Sequence, residues 1–276
     1  MTPTKVDVAP ASAGINTVDV IAVQRQFLHL GTPLSGCPLT AANVNGDGGI
    51  NTVDVIAIQR FFLGLSAGIA EVGKYQFNPS NRTYLEVVAN QTDQDYDTLI
   101  FGDVASTFVE RPEGVSPDVA EAVTTVATLA LPEIVVDQSK GTFIASVKSS
   151  TIDARSEVVG FQGDLTFDER MVTFQSQPVQ NAGLTAGNWT VSGNVLAGPG
   201  PIRTLRISAY STDFKPLSGS GTLFDLKMVR VSKGAQNTSL FWAAAPNQFT
   251  FVDVNLKTQV PAHTPAGVVS WSDNKR

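Results

Sequence analysis

Apolar positions in this chain follow two periods, and the change from one to the other divides it. Near the N-terminus, Val20, Val23, Phe27 and Leu30 recur at helical spacing, and Val55, Ile58, Phe62 and Leu65 repeat the stripe. The likeness is literal. GINTVDVIAVQRQFL at 14–28 returns as GINTVDVIAIQRFFL at 49–63, shifted by 35 positions and changed only at Val23/Ile58 and Gln26/Phe61. Self-similarity at a fixed period means that one supersecondary unit was duplicated. Asn51 or Thr52 would cap the second helix, Gly64 and Gly68 would stop it, and Gly31 and Pro33 would end the first. Neither helix can bury its stripe alone, so the two are expected to pack on each other.

Beyond residue 70 the pattern shortens. Tyr75–Phe77, 83–88 and 96–101 read as short strands between Asn, Pro and Asp turns, and 110–117 has linker composition. From about residue 119 the period is two. Phe161, Leu165 and Phe167 share one face while Gln162, Asp164 and Thr166 share the other. Leu205, Ile207 and Ala209 alternate with Arg206, Ser208 and Tyr210, and Phe224, Leu226 and Met228 alternate with Asp225 and Lys227. With turn residues every ten or so positions, this predicts an antiparallel sandwich or jelly roll. The expected organisation is mainly β with a small α module: a helical repeat over 1–70, a short-stranded appendage and linker over 71–117, and a β-sandwich over 118–276. The appendage is expected to pack against the helices, because a two-helix unit has little core of its own.

One stretch carries chemistry. Calcium takes six to eight oxygens, which a short loop supplies from alternate positions around a sharp Gly turn. With Asn43 as position 1, Asn45 falls at 3, Asp47 at 5, Gly48 at 6, the Gly49 carbonyl at 7, Asn51 at 9 and Asp54 at 12. Ile50 is the apolar plug, and Asp54 lies in the first helical turn, where the dipole favours a carboxylate. Only Asp47 and Asp54 carry charge, which predicts modest affinity. The first copy keeps Ile15, Asn16 and Asp19 but puts Val8, Pro10 and Ser12 where the front ligands belong, with Asp7 one residue too early. A second complete site there would need Asp7 or a distant carboxylate such as Asp103.

Composition narrows the setting. Charged residues make up 16% of the chain, with 23 Gly and 15 Pro, which suits a turn-rich extracellular β protein. A net charge of -6 offers no clustered Lys and Arg for a nucleic acid. The single cysteine, Cys37, cannot form an intrachain disulfide and is expected to be a buried or loop thiol. No apolar run reaches the length of a membrane helix, and Met1-Thr-Pro-Thr-Lys has no signal-peptide h-region, so any leader is expected to be already removed.

The run Asn43-x-Asn-x-Asp-Gly-Gly-Ile-Asn-x-x-Asp followed by Val-Ile-Ala-Ile-Gln-Arg-Phe-Phe-Leu-Gly resembles a type I dockerin, the paired calcium-loop-and-helix module that plugs into a cohesin domain. The resemblance implies partner contacts at Thr52, Val53, Gln59 and Arg60, duplicated as Thr17, Val18, Gln24 and Arg25, with a near-twofold symmetry that can permit two binding orientations. Over roughly 124–276, the stretches Ala127–Val136, Val159–Asp168 and Leu217–Met228 resemble strands of cohesin-like jelly rolls, and resemble carbohydrate-binding sandwich modules too. Two features depart from the family pattern: the dockerin-like part lies N-terminal, and its first loop is degenerate.

An enzyme is disfavoured. With only His29, His263 and Cys37 available, a nucleophile–base triad has little to work with. Asp93, Asp95 and Asp97 read as a solvated loop rather than a glycosidase pair. Trp189, Trp242 and Trp271 could stack on sugars, though packing explains them as well, and the sequons at Asn81, Asn90, Asn188 and Asn237 mark polar turns. The expectation is a secreted, non-catalytic, calcium-dependent assembly protein. Its plug-like and socket-like modules would associate head to tail, a contact that gives open fibres when it does not close. The alternative is a carbohydrate-binding or adhesive part of a larger cell-surface protein. A clamp of the two modules within one chain would instead give a compact monomer.

Overall fold

The computed structural model describes residues 1–84, 86, 87, 90, 92–105, 126–234 and 236–272. The chain divides into two compact units, Met1–Arg111 and Pro112–Arg276.

In the first unit, α1 (Thr17–Phe27) and α3 (Thr52–Phe62) are the duplicated helices, and α2 (Gly36–Ala42) lies between them. Asn16 and Asn51 are the N-caps. Their side-chain oxygens accept from Val18 N and Val53 N at 2.8 Å each, and Asp19 and Asp54 return a bond to the cap amides. Each helix is followed by a residue at positive φ, His29 at 57° and Gly64 at 76°. The stripes meet in a core of Ile15, Val20, Val23, Val55, Ile58 and Phe61, all buried. Leu30, expected on the stripe, is exposed because α1 ends at Phe27. Helix α2 went unread, since a seven-residue run with Pro38 in its first turn has no periodic stripe. It leaves Cys37 exposed, correcting the expectation of a buried or loop thiol. The strands β1 (Tyr75–Asn78) and β2 (Asp97–Ile100) pair antiparallel, Tyr75 opposite Ile100. Thr83, Tyr84, Glu86 and Val87 carry no strand; the rest of that expected run and the 110–117 linker lie outside the described residues.

The second unit is a two-sheet sandwich. Its strands are β3 (Thr128–Ala130), β4 (Glu133–Asp137), β5 (Thr142–Ile152), β6 (Val158–Asp168), β7 (Val172–Asn181), β8 (Trp189–Leu196), β9 (Ile202–Ser211), β10 (Gly219–Arg230), β11 (Thr238–Trp242), β12 (Thr250–Asp253), β13 (Thr258–Gln259), β14 (Ala262–His263) and β15 (Gly267–Ser272). One sheet runs β14-β3-β5-β10-β7; the other runs β13-β12-β6-β11-β15-β4, with β9 also on β6 and β8 on β9. Pro132 sits between β3 and β4, where a missing amide does no harm, and the chain changes sheet there. The pairings β14–β3 and β15–β4 are parallel among otherwise antiparallel ladders. Between the sheets, the ring of Phe161 lies 5.8 Å from Trp189, 5.6 Å from Phe224 and 5.4 Å from Phe249. The alternation expected of β6, β9 and β10 is present, with Leu165, Phe167, Leu205, Ile207, Leu226 and Met228 all in that core.

Candidate functional site

Each residue of the 43–54 loop has a defined place. Asp47, fully exposed, is the loop's collecting point: Oδ1 accepts from Gly49 N at 3.2 Å, and Oδ2 accepts from Asn45 Nδ2 and Asn51 Nδ2 at 2.9 Å each. The Gly49 amide and the Asn45 side chain hold its carboxyl below the ordinary 3.8. Asn43 Oδ1 accepts from Gly46 N at 3.0 Å, and Asn45 Oδ1 accepts from Asp47 N at 3.1 Å. Asp54 sits beneath, fully buried. Its Oδ1 takes Val44 N at 2.9 Å and Asn45 N at 3.3 Å, and its Oδ2 takes Asn51 N at 2.9 Å.

This donor set fits a hard divalent cation. Every candidate ligand offers oxygen, and a half-turn about the terminal torsion of Asn45 exchanges its N for O, pointing the amide oxygen where Asp47 now draws the nitrogen, while Asn51 keeps its oxygen on Val53 N as the cap of α3. Asn43, Asn45, Asp47, the Gly49 carbonyl, Asn51 and Asp54 would hold the ion. Among the described residues, no group of three or more His, Cys, Asp or Glu converges on a point, and the 43–54 loop itself carries two acids, Asp47 and Asp54.

At the first copy the expected set of Asp7, Ser12, Asn16 and Asp19 is differently engaged. Asp7 is exposed, and Ser12 Oγ accepts from Gly14 N at 3.3 Å. Asp19 is fully buried, with Oδ2 on Asn16 N at 2.9 Å and Oδ1 on Val104 N at 2.9 Å and Ala105 N at 3.0 Å. Burial pushes its carboxyl up to about 6 against the pull of those amides. Residues 7–12, which precede this helix in sequence, therefore do not supply the front half of its loop; Val104 and Ala105 stand there instead.

The docking residues divide. Thr52 and Val53 are exposed, Val53 by 54%, and Ile56 one turn on is 48% exposed. Val18 is half-buried. Thr17, Gln24 and Gln59 are buried and are not surface positions, a correction to the expected contact set. Gln24 stands four residues after Val20 and Gln59 four after Val55, which puts both on the core stripe. Arg25 and Arg60, half-buried, bond their own post-helix turns: Arg25 Nε donates to Leu30 O at 3.3 Å and Arg60 Nε to Ala67 O at 2.7 Å. Sequence reading named neither the exposed Ile56 nor Val104 and Ala105.

On the sandwich, Ile202 (55% exposed) and Phe241 (47%) flank a hollow that includes Thr166, Met171 and Ser239. Trp242 and Trp271 are buried and Trp189 stacks on Phe161, so the tryptophans pack and form no sugar platform. Asp93, Asp95 and Asp97 are exposed, as read, and His29 and His263 are exposed.

No protein-family model matches the chain. No curated protein matches it either. Solved structures to which it is similar are cohesin domains: the sixth cohesin of Acetivibrio cellulolyticus scaffoldin B (15% identity, 54% of this chain and 100% of that one, TM-score 0.42); a seventh ScaB type I cohesin from Pseudobacteroides cellulosolvens (8%, 55% and 96%, 0.42); and a type II cohesin from the cellulosome of Acetivibrio cellulolyticus (13%, 53% and 95%, 0.40).

Proposed function

We propose that this chain is a secreted, non-catalytic, calcium-dependent assembly protein. Loop 43–54 holds the ion, and the exposed start of α3 docks on the sandwich of a second copy. The observation that supports this best is the loop itself: three oxygen-bearing side chains, Asn45, Asp47 and Asn51, joined at Asp47 just before an exposed Val53–Ile56 pair. A cation there stiffens the end of the helix that presents those two residues. The reading commits the partner surface to Ile202 and Phe241, large apolar side chains left open on the sandwich. Chemistry does not compete, because the described histidines are exposed and lie in different units. Among the described residues, no helix is long and apolar enough to cross a membrane.

Light scattering and electron microscopy of the full chain in calcium, then in chelator, test the proposal. Growth to head-to-tail oligomers in calcium, reversed by chelator and abolished by Val53→Glu with Ile56→Glu, is the expected result. A particle of one chain's mass under both conditions defeats the assembly reading, and if that particle tightens in calcium the modules clamp within one chain. Retardation in polysaccharide gels would favour the adhesive alternative.

A further inference from the structure

The geometry points to residues 101–105 as the front half of the first repeat, displaced to the far end of the unit, where they act as a strap closing α1 without a metal. Placing the two helix starts side by side carries this. Asp54 gathers three amides, from Val44, Asn45 and its own cap Asn51; Asp19 gathers three, from Val104, Ala105 and its own cap Asn16, on the same oxygens in the same order. Asp103-Val104-Ala105 therefore stands to α1 as Asn43-Val44-Asn45 stands to α3. Val44 and Val104 are both buried beneath their loops. The separation differs: Val44 precedes Asp54 by 10 residues, whereas Val104 follows Asp19 by 85. The unit is a circularly permuted duplicate.

The strap is seated by more than Asp19. Gly102 N donates to Ala41 O at 2.8 Å, and Phe101 exchanges bonds with Gly73 and Lys74, at 2.9 and 3.0 Å. Gly102 has φ 92°, and a Cβ on it would lie 2.7 Å from Val72 Cγ1 and 3.4 Å from Ile15 Cγ2, so the strap crosses the shared core where only glycine passes. Ala105 occupies the place of Asn45 and brings no side-chain oxygen. Asp103, in the place of Asn43, is then the one described strap residue with a side-chain oxygen to offer, too few to hold a cation, and backbone amides on Asp19 close this end of the helix pair. That the other end answers to a cation rests on the function proposed above.

Amide hydrogen exchange on the full chain, in saturating calcium chloride and after chelation, tests this. Val104 and Ala105 should be protected equally in both conditions, while Val44 and Asn45 lose protection at least tenfold on chelation. Asp19→Ala, which removes both acceptor oxygens, should release Val104 and Ala105 and leave Val44 and Asn45 unchanged; Ala105→Pro, which removes one donor, is the milder variant should the first not fold and should release Val104. Open-chain exchange at Val104 in the unaltered protein, or chelation loosening both ends alike, overturns the strap. If chelation changes nothing anywhere while Asp19→Ala still frees Val104, the cation reading falls and the strap stands.

Discussion

At the scale of single residues, three aspartates with one side chain do three jobs, and burial decides which. Asp54 is fully buried on three amides, so Asp54→Ala orphans all three. At about 1–3 kcal/mol for a buried donor left unmade, with Val44 N buried and the Asn45 and Asn51 amides part-buried, the first unit should lose roughly 2 kcal/mol or more in urea denaturation, with or without calcium. Asp47 is exposed, and Asp47→Ala should leave the melting temperature in chelator unchanged while erasing any rise on adding calcium; a retained rise would locate the ion elsewhere. Asp19 carries a pH signature. Its carboxyl titrates near 6 when folded against an ordinary 3.8, because burial opposes the charge. The unfolded chain therefore releases this proton first as pH rises, so stability at this group is highest below about pH 4 and falls until about pH 6. The total is roughly 3 kcal/mol at 1.36 kcal/mol per unit. Denaturant midpoints at pH 4.5 and 6.5 should show that slope in the parent and not in Asp19→Asn, whose amide does not titrate. The cap of α3, narrowed to Asn51 or Thr52, and the place of Asp54 in its first turn were legible because their signals lie within four residues of a helix start. Gln24 and Gln59 were implied as contacts by the dockerin resemblance alone, whereas their spacing from Val20 and Val55 puts them on the buried stripe.

At the scale of elements, period and repeat were enough to find α1, α3 and the long strands, since each is specified by residues that are neighbours along the chain. What escaped was set by distant partners: the seating of 101–105 on α1, and the pairing on β6 and β9. There the register places Asp164 opposite Arg206, and Arg206 Nε and Nη2 each donate to an Asp164 oxygen at 2.8 Å, with both residues buried. Alternation had shown these two only as polar positions across from Leu165 and Leu205. Removing one partner strands a buried charge, which costs about 3–5 kcal/mol, whereas replacing both with apolar side chains of similar volume is often neutral. Arg206→Met alone should therefore shift the sandwich's urea midpoint strongly downward, and Arg206→Met with Asp164→Leu should restore most of it. Equal loss in the single and double variants would mean that the pair's neighbours, and not its charge balance, hold these strands.

At the scale of the whole molecule, each compact unit has its own means of closing, and the loop proposed to take an ion belongs to the first. The sandwich is held by the ring cluster around Phe161 and by β5, β6, β9 and β10, none of which calls on a cation. Scanning calorimetry of the full chain should resolve two transitions. Calcium binding to the folded first unit alone raises that unit's stability by RT ln(1 + [L]/Kd), about 2.7 kcal/mol at a hundredfold excess over Kd. One transition should therefore move up in calcium while the other stays in place, and Asp47→Ala should pin the mobile one at its chelator value. Phe161→Ala should do the reverse, lowering the calcium-insensitive transition through a core cavity worth about 3–5 kcal/mol. A single transition that moves as one body in calcium would show that the units unfold together.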